Sequence, residues 1–317
     1  MKLATYQDAS RDGQLVVVSR DLSMAHYATG IAGKLQQVLD DWRFMAPQLR
    51  ALAEQLDGGK ARHAFPFEPA RCMAPLPRAH QWVAGAAFAS HNERLRQAGI
   101  AAPRPDDGPA LRQGASDRFL GPCEAVAVER EALEIDFEAQ VAVITGDVDQ
   151  GASAQEALDG VRLLALASDT ALRAPMGPLA ARPATAFSPV AVTPDELGGA
   201  WAQGRLHLVL QTAWNERRVG LCEAGSDMAF HFGQLVAELC RTRPVRAGSI
   251  VGSGPVSNRD AARGYSSILE KRALETAETG RAATGFLKFG DTLRIEARGK
   301  GGASVFGAIE QRIAPLG

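Results

Sequence analysis

Glycine and proline break this chain from end to end. Its 317 residues include 32 Gly and 17 Pro, spread throughout, and such punctuation favours many turns between short elements over a helical bundle. One stretch escapes it. From about Gly33 to Leu56, the residues Leu35, Leu39, Trp42, Met45, Leu49, Leu52 and Leu56 recur every three or four positions, which predicts one amphipathic helix. Asp57-Gly58-Gly59 offers it an end. Ahead of it, Lys2 to Gln7 and Gln14 to Ser19 read as a hairpin turned at Arg11-Asp12-Gly13. Behind it, Phe65, Pro66, Phe67, Pro69, Pro75 and Pro77 read as a linker. A small leading domain is therefore expected over residues 1–78, and a second domain over 79–317.

The second part is strand-rich. Val126 to Val128, Val141 to Thr145, Leu206 to Thr212, Ser249 to Gly252, Thr292 to Ala297 and Ser304 to Ile309 are expected strands. Ser153-Ala154-Gln155-Glu156 reads as a capping box, starting a helix to about Ala167. Ser226 or Asp227 is expected to cap a helix carrying Phe232, Leu235, Val236 and Leu239. These elements predict an α+β, β-rich fold without βαβ winding.

Charge and cysteine narrow the function. Lys plus Arg number 35 against 36 Asp plus Glu, which gives no net basic surface for nucleic acid. No run of about 18 apolar residues predicts a membrane helix, and the first residues show no signal-peptide core. Cys72, Cys123, Cys222 and Cys240 form no C-x-x-C pair; they read as reduced thiols of a cytoplasmic protein.

Four segments could carry chemistry. In Asp136-Phe137-Glu138-Ala139-Gln140-Val141, a strand would put Asp136, Glu138 and Gln140 on one face. Three oxygen-bearing side chains there suit a hard cation, although a solvated strand face shows the same alternation. Asp169 follows an apolar run and either caps a turn or completes that oxygen set. His91, with Glu93 two positions on, is a candidate base oriented by a carboxylate, or a structural histidine. Gly252-Ser253-Gly254 would let backbone amides approach a ligand, as would any Gly-rich turn. No Gly-Lys-Ser/Thr follows, so it is not a phosphate loop.

Several motifs in this order resemble the fumarylacetoacetate hydrolase family, over nearly the whole chain. They are Ile135-Asp136-Phe137-Glu138, Pro183-Ala184-Thr185-Ala186-Phe187-Ser188-Pro189-Val190, Gly252-Ser253-Gly254 with Val256-Ser257-Asn258, and Phe289-Gly290-Asp291-Thr292-Leu293-Arg294-Ile295-Glu296. Phe65-Pro66-Phe67 and Ala74-Pro75-Leu76-Pro77-Arg78 resemble the leading domain of a bacterial subfamily. The resemblance implies a core of mixed sheets, often described as a β-roll, behind a small N-terminal α+β domain, commonly assembled as a homodimer. It implies action on 2-oxo or 1,3-dioxo carboxylic acids, with Mg²⁺, Mn²⁺ or Ca²⁺ stabilising an enolate. Carried over residue by residue, it makes Glu138, Gln140 and Asp169 the metal positions and His91, Glu93 and Arg182 the catalytic ones. Phe88, Arg173, Ser253 and Gly254 then contact substrate.

The chain departs from the family pattern. Gln140 stands where the family has a second Glu, Arg182 where it has Lys, and Pro255 where it has Thr, and the segment from Leu172 to Arg182 is short. Losing one of three carboxylates weakens a divalent site. Three readings follow: a metal-assisted hydrolase or lyase with an altered ligand set, a metal-independent cyclase, isomerase, decarboxylase or dehydratase on the same fold, or a non-catalytic homologue.

Overall fold

The computed structural model describes residues 1–299 and 301–317. The chain begins with β1 (Lys2–Tyr6), β2 (Gln14–Val18) and β3 (Met24–Tyr27), an antiparallel meander. Gly13 takes a φ of +58°, and a Cβ there would meet the Tyr6 carbonyl oxygen at 2.5 Å, so this turn requires glycine. The expected single helix is two: α1 (Leu35–Asp40) and α2 (Trp42–Asp57). The break is at Asp41, whose φ of −129° and ψ of 54° are not helical. The apolar stripe runs through the break, which is why periodicity did not reveal it. The predicted linker is ordered as well. Its residues form β4 (Phe65–Pro66), paired with β3, and a bridge joins Cys72 to Tyr6.

Next come β5 (Trp82–Gly85), α3 (Ala89–Gln97), β6 (Leu111–Gln113), β7 (Val126–Val128) and β8 (Ile135–Thr145). They are followed by α4 (Ala154–Asp159), β9 (Val161–Leu172), β10 (Ala184–Phe187) and β11 (Ala191–Val192). Ser153 caps α4 with Glu156 as expected, but the helix stops at Asp159 and the residues expected to continue it form β9. An apolar run buried on both faces has neither a helical nor a two-residue period, and the stretch Leu163–Ala167 within β9 is such a run. The last elements are β12 (Trp201–Ala202), β13 (Arg205–Leu206), β14 (Val209–Trp214), β15 (Arg217–Glu223), α5 (Phe232–Leu239), β16 (Ile250–Gly252), α6 (Ile268–Thr279), β17 (Thr292–Arg298) and β18 (Ile309–Pro315). The N-cap of α5 is His231. Asp227 instead accepts from the Asn258 side chain and the Arg259 amide. The strand expected over Ser304 to Ile309 begins only at Ile309; a bend takes in Val305 and the buried Phe306 before it.

With 31% strand and 24% helix, the fold is sheet-rich α+β. One sheet carries the strands in the order β4-β3-β2-β1-β11-β9-β8-β16-β5-β6, with β10 also on β9, and β15-β14-β17-β18-β7 make a second. The first sheet is continuous across residue 78, since β1 pairs with β11. Alternation along β8 and β9 divides the core. Phe137, Val141, Val143, Leu164 and Leu166 face one apolar cluster. Ala142, Ile144, Leu163, Ala165 and Ala167 face another, shared with Leu3, Leu15, Val17 and the inner sides of α1 and α2.

Candidate active site

Along the second of these faces β8 changes character. Ile144 and Ala142 lie under the leading domain, and the same face then continues as Gln140, Glu138 and Asp136, all buried. The β8–β9 register sets Glu138 opposite Asp169, and β10 adds Thr185 opposite Asp169. Cross-strand neighbours share a face, so the acidic side chains converge at the rim of the core.

The cation they meet is part of the chain. Arg182, just before β10, donates from Nη1 to Glu138 Oε2 at 2.5 Å and to Asp169 Oδ2 at 2.8 Å, and from Nη2 to Glu138 Oε1 at 2.7 Å. Its side chain is only 8% exposed. Thr185 Oγ1 donates to Asp169 Oδ1 at 2.7 Å. Arg173, just past β9, donates to Asp136 and, from Nη2 at 2.7 Å, to Glu138 Oε1. Arg112 on β6 stands 3.8 Å from Glu138 Oε2 with its side chain 56% exposed. Burial pushes the Glu138 carboxyl up, but the guanidiniums of Arg182, Arg173 and Arg112 outweigh it and hold it well below the usual range. For Asp169 burial wins over the pull of Arg182, helped by the charge on Glu138, and its carboxyl stands above the usual range.

Gln140 does not join them. Its Oε1 accepts from the Gly254 amide at 2.8 Å, and its Nε2 is buried without a partner. A Cβ at Gly252 would come within 2.4 Å of that Oε1, so the turn is fitted to the glutamine. Here the structure corrects the expectation for Ser253 and Gly254. The Ser253 amide donates to the Val141 carbonyl and the Gly254 amide to Gln140. These two amides are engaged within the fold and do not face a ligand.

His91 is three residues into α3 and buried. Its Nδ1 lies 2.9 Å from Oε2 of Glu270 on α6, a carboxylate with 0% side-chain exposure. Glu270 Oε1 also accepts from Ser257 Oγ at 2.7 Å and from Arg94 Nη1. Arg94 Nη2 reaches the carbonyls of Asn258 and Arg259. Burial raises the Glu270 carboxyl, but the bond and charge of His91, the bond from Ser257 and the charge of Arg94 outweigh it, so it stands below its ordinary range. Glu93, the expected partner, is exposed and accepts from Gln97. Residues two apart on a helix point to different sides, so Glu93 cannot orient His91. Phe88 is also corrected: it is fully buried in the core and bridged to Met228.

Both groups meet at the start of α6. Ser267 is bridged to Glu138, and Asp136 accepts from the Ile268 and Leu269 amides at 2.7 and 3.1 Å. A strand carboxylate thus caps the helix that carries Glu270. Outside Arg173, a cavity of about 530 Å³ opens between α3, the 172–181 segment and α6, with Ile100, Met176, Ala273 and Phe286 among its walls.

A sheet-rich core with buried acids on paired strands, a buried His–Glu pair and a small leading domain defines a class of hydrolase-like enzyme folds. The chain belongs to the fumarylacetoacetate hydrolase family: "Fumarylacetoacetase N-terminal domain 2" matches residues 1–78 and "Fumarylacetoacetate (FAA) hydrolase C-terminal" residues 80–314. Solved structures share the fold over whole chains. A putative HpcE protein from Mycobacterium smegmatis is 20% identical, with TM-score 0.68 and 100% of both chains covered. A probable 2-hydroxyhepta-2,4-diene-1,7-dioate isomerase from Mycobacterium abscessus is 16% identical, with TM-score 0.68 and the same coverage. Maleylpyruvate hydrolase from Sphingobium sp. SYK-6, in complex with manganese(II) ion and pyruvate, is 15% identical, with TM-score 0.64 over 100% of both. No curated protein matches the chain by sequence.

The divalent cation of that complex is a test for the present residues, and they do not fit one. All four oxygens of Glu138 and Asp169 carry hydrogen bonds from Arg182, Arg173 or Thr185. The Gln140 oxygen is bonded to the Gly254 amide. Among the described residues, no three of His, Cys, Asp and Glu gather as an ion-holding group, and no helix is long and apolar enough to cross a membrane.

Proposed function

We propose that this chain is an enzyme that shifts a proton on a 2-oxo or 1,3-dioxo carboxylic acid, isomerising or tautomerising it through an enolate. The observation that supports the reading is the buried His91–Glu270 pair. A carboxylate at Nδ1 favours the tautomer with its proton there, which leaves Nε2 free to act as base. His91 Nε2 takes a proton from the carbon beside the keto group, and Glu270 stabilises the imidazolium that results. The same Nε2 returns the proton at a second carbon, and atoms balance with no other reactant.

C–C hydrolysis asks for more, because its tetrahedral oxyanion needs donors aimed at it. The Ser253 and Gly254 amides are engaged elsewhere, which favours isomerisation. Arg112, half-exposed beside Glu138, would receive the substrate carboxylate through its two-pronged guanidinium. The cavity outside Arg173 would take the apolar part of the acid. The isomerase named among the similar folds is in keeping with this chemistry.

Deuterium exchange at the carbon beside the keto group, followed by NMR over a panel of 2-oxo and 1,3-dioxo acids, tests the reading. The wild-type chain is expected to accelerate exchange, and His91→Ala to lose about 10²–10⁴-fold. Exchange no faster than in buffer across the panel, or a His91→Ala variant as fast as wild type, would overturn it.

A further inference from the structure

We infer that Arg182 is the resident cation of the Glu138–Asp169 pair, that it excludes divalent metal from the protein, and that a latent divalent site lies beneath it. The inference does not depend on which reaction the site performs.

Charge balance is the first argument. Asp136, Glu138 and Asp169 are three buried carboxylates, and Arg112, Arg173 and Arg182 are the three guanidiniums beside them. The cluster is neutral as it stands. A dication added to it would leave two uncompensated positive charges in a largely buried place, which is strongly unfavourable.

Geometry is the second. A metal could enter only if Arg182 withdrew from both acids. Its guanidinium cannot be neutralised to help, since arginine stays protonated in proteins. The backbone holds it in place from both sides. The Leu172 amide donates to the Ala181 carbonyl at 2.9 Å, and β10 begins at Ala184. The short connection from β9 to β10 therefore keeps the Arg182 side chain over the acids.

The latent site follows from the same count. Arg182→Ala with Gln140→Glu leaves four carboxylates against Arg112 and Arg173, a deficit of two that one divalent ion cancels. Glu138 and Asp169 already face each other across the ladder, and position 140 lies on their face. Oxygen ligands of this kind suit Mn²⁺ or Mg²⁺.

Mn²⁺ titration, followed by loss of the free-ion electron paramagnetic resonance signal and by the thermal midpoint, is the test. Wild type is expected to leave the signal unchanged and its midpoint unmoved at millimolar Mn²⁺. The Arg182→Ala/Gln140→Glu variant, folded by circular dichroism, should take up one Mn²⁺ per chain with Kd below about 1 mM, the weak end of carboxylate sites, and gain thermal stability on doing so. Should that variant not fold, Arg182→Gln/Gln140→Glu carries the same comparison, since a neutral side chain of intermediate length at 182 leaves the same deficit of two. Uptake of one Mn²⁺ per chain by the wild type overturns the inference, and so does a folded variant that takes up none.

Discussion

Glu93 and Glu270 are the same side chain in two settings. Glu93 sits beside His91 in sequence and is solvated; Glu270 is 179 residues away and bonded to it. His91 was legible in the sequence, but its partner was not. Ser267-Ile268-Leu269-Glu270 has the S-x-x-E spacing of a capping box, so a reader scanning for helix starts would leave Glu270 on the surface. The structure caps that helix with Asp136 and turns Glu270 inward. Arg112 left no signal at all, being one arginine on a three-residue strand. Glu93→Gln is expected to change stability by no more than about 0.5 kcal/mol. Glu270→Gln leaves Arg94 buried without its counter-charge and should cost about 3–5 kcal/mol. Because the fold holds the Glu270 carboxyl below its ordinary value of 4.5, its contribution is present above that pH and is lost as pH falls through the lower folded value. Denaturant midpoints against pH should therefore show an acid limb in wild type that shrinks in Glu270→Gln and persists in Glu93→Gln.

At the scale of elements, the strand bearing the acids was readable and its partner was not. The alternation in 136–141 identified a strand and the face its acids share. β9 carries Asp169, but its buried apolar run has no polar period to mark it, and Gly160 ended the helix before the pattern could. A Cβ at Gly160 would meet Val148 Cγ2 at 2.5 Å, so the turn between α4 and β9 is closely packed. The role of Asp136 as a cap from another element was equally hidden, since capping is read from local sequence and this cap comes from 132 residues away. Asp136→Ala removes both the cap of α6 and a counter-charge of Arg173. The expected outcome is faster hydrogen exchange at the amides of Ile268 and Leu269, with a loss of about 3–5 kcal/mol in global stability. Unchanged protection at those two amides would show that α6 does not need the strand.

The whole molecule joins what the sequence divided. The Phe- and Pro-rich stretch at 64–78 was read as a linker because such residues punctuate, yet it contributes β4 and a bridge to β1. Pairing of β1 with β11 carries one sheet through the boundary, and Leu3, Leu15 and Val17 share a cluster with Ala142, Ile144 and Leu163. Neither part can expose that face without placing a core in water, at about 25 cal/mol per Å². Calorimetry should accordingly record one cooperative unfolding transition for the full chain; two resolved transitions would mean that the leading residues melt on their own.

The guanidinium at 182 also ties two distant positions of the chain together. A glutamate at 140 with Arg182 still in place would bury a fourth acid in a cluster that is already neutral. A small residue at 182 with Gln140 kept would strand Glu138 and Asp169 without their main counter-ion. Each of these two single changes leaves the cluster unbalanced, whereas the two together reach another balanced site. Positions 140 and 182 are in this sense coupled: neither charge can change alone without leaving the buried cluster out of balance.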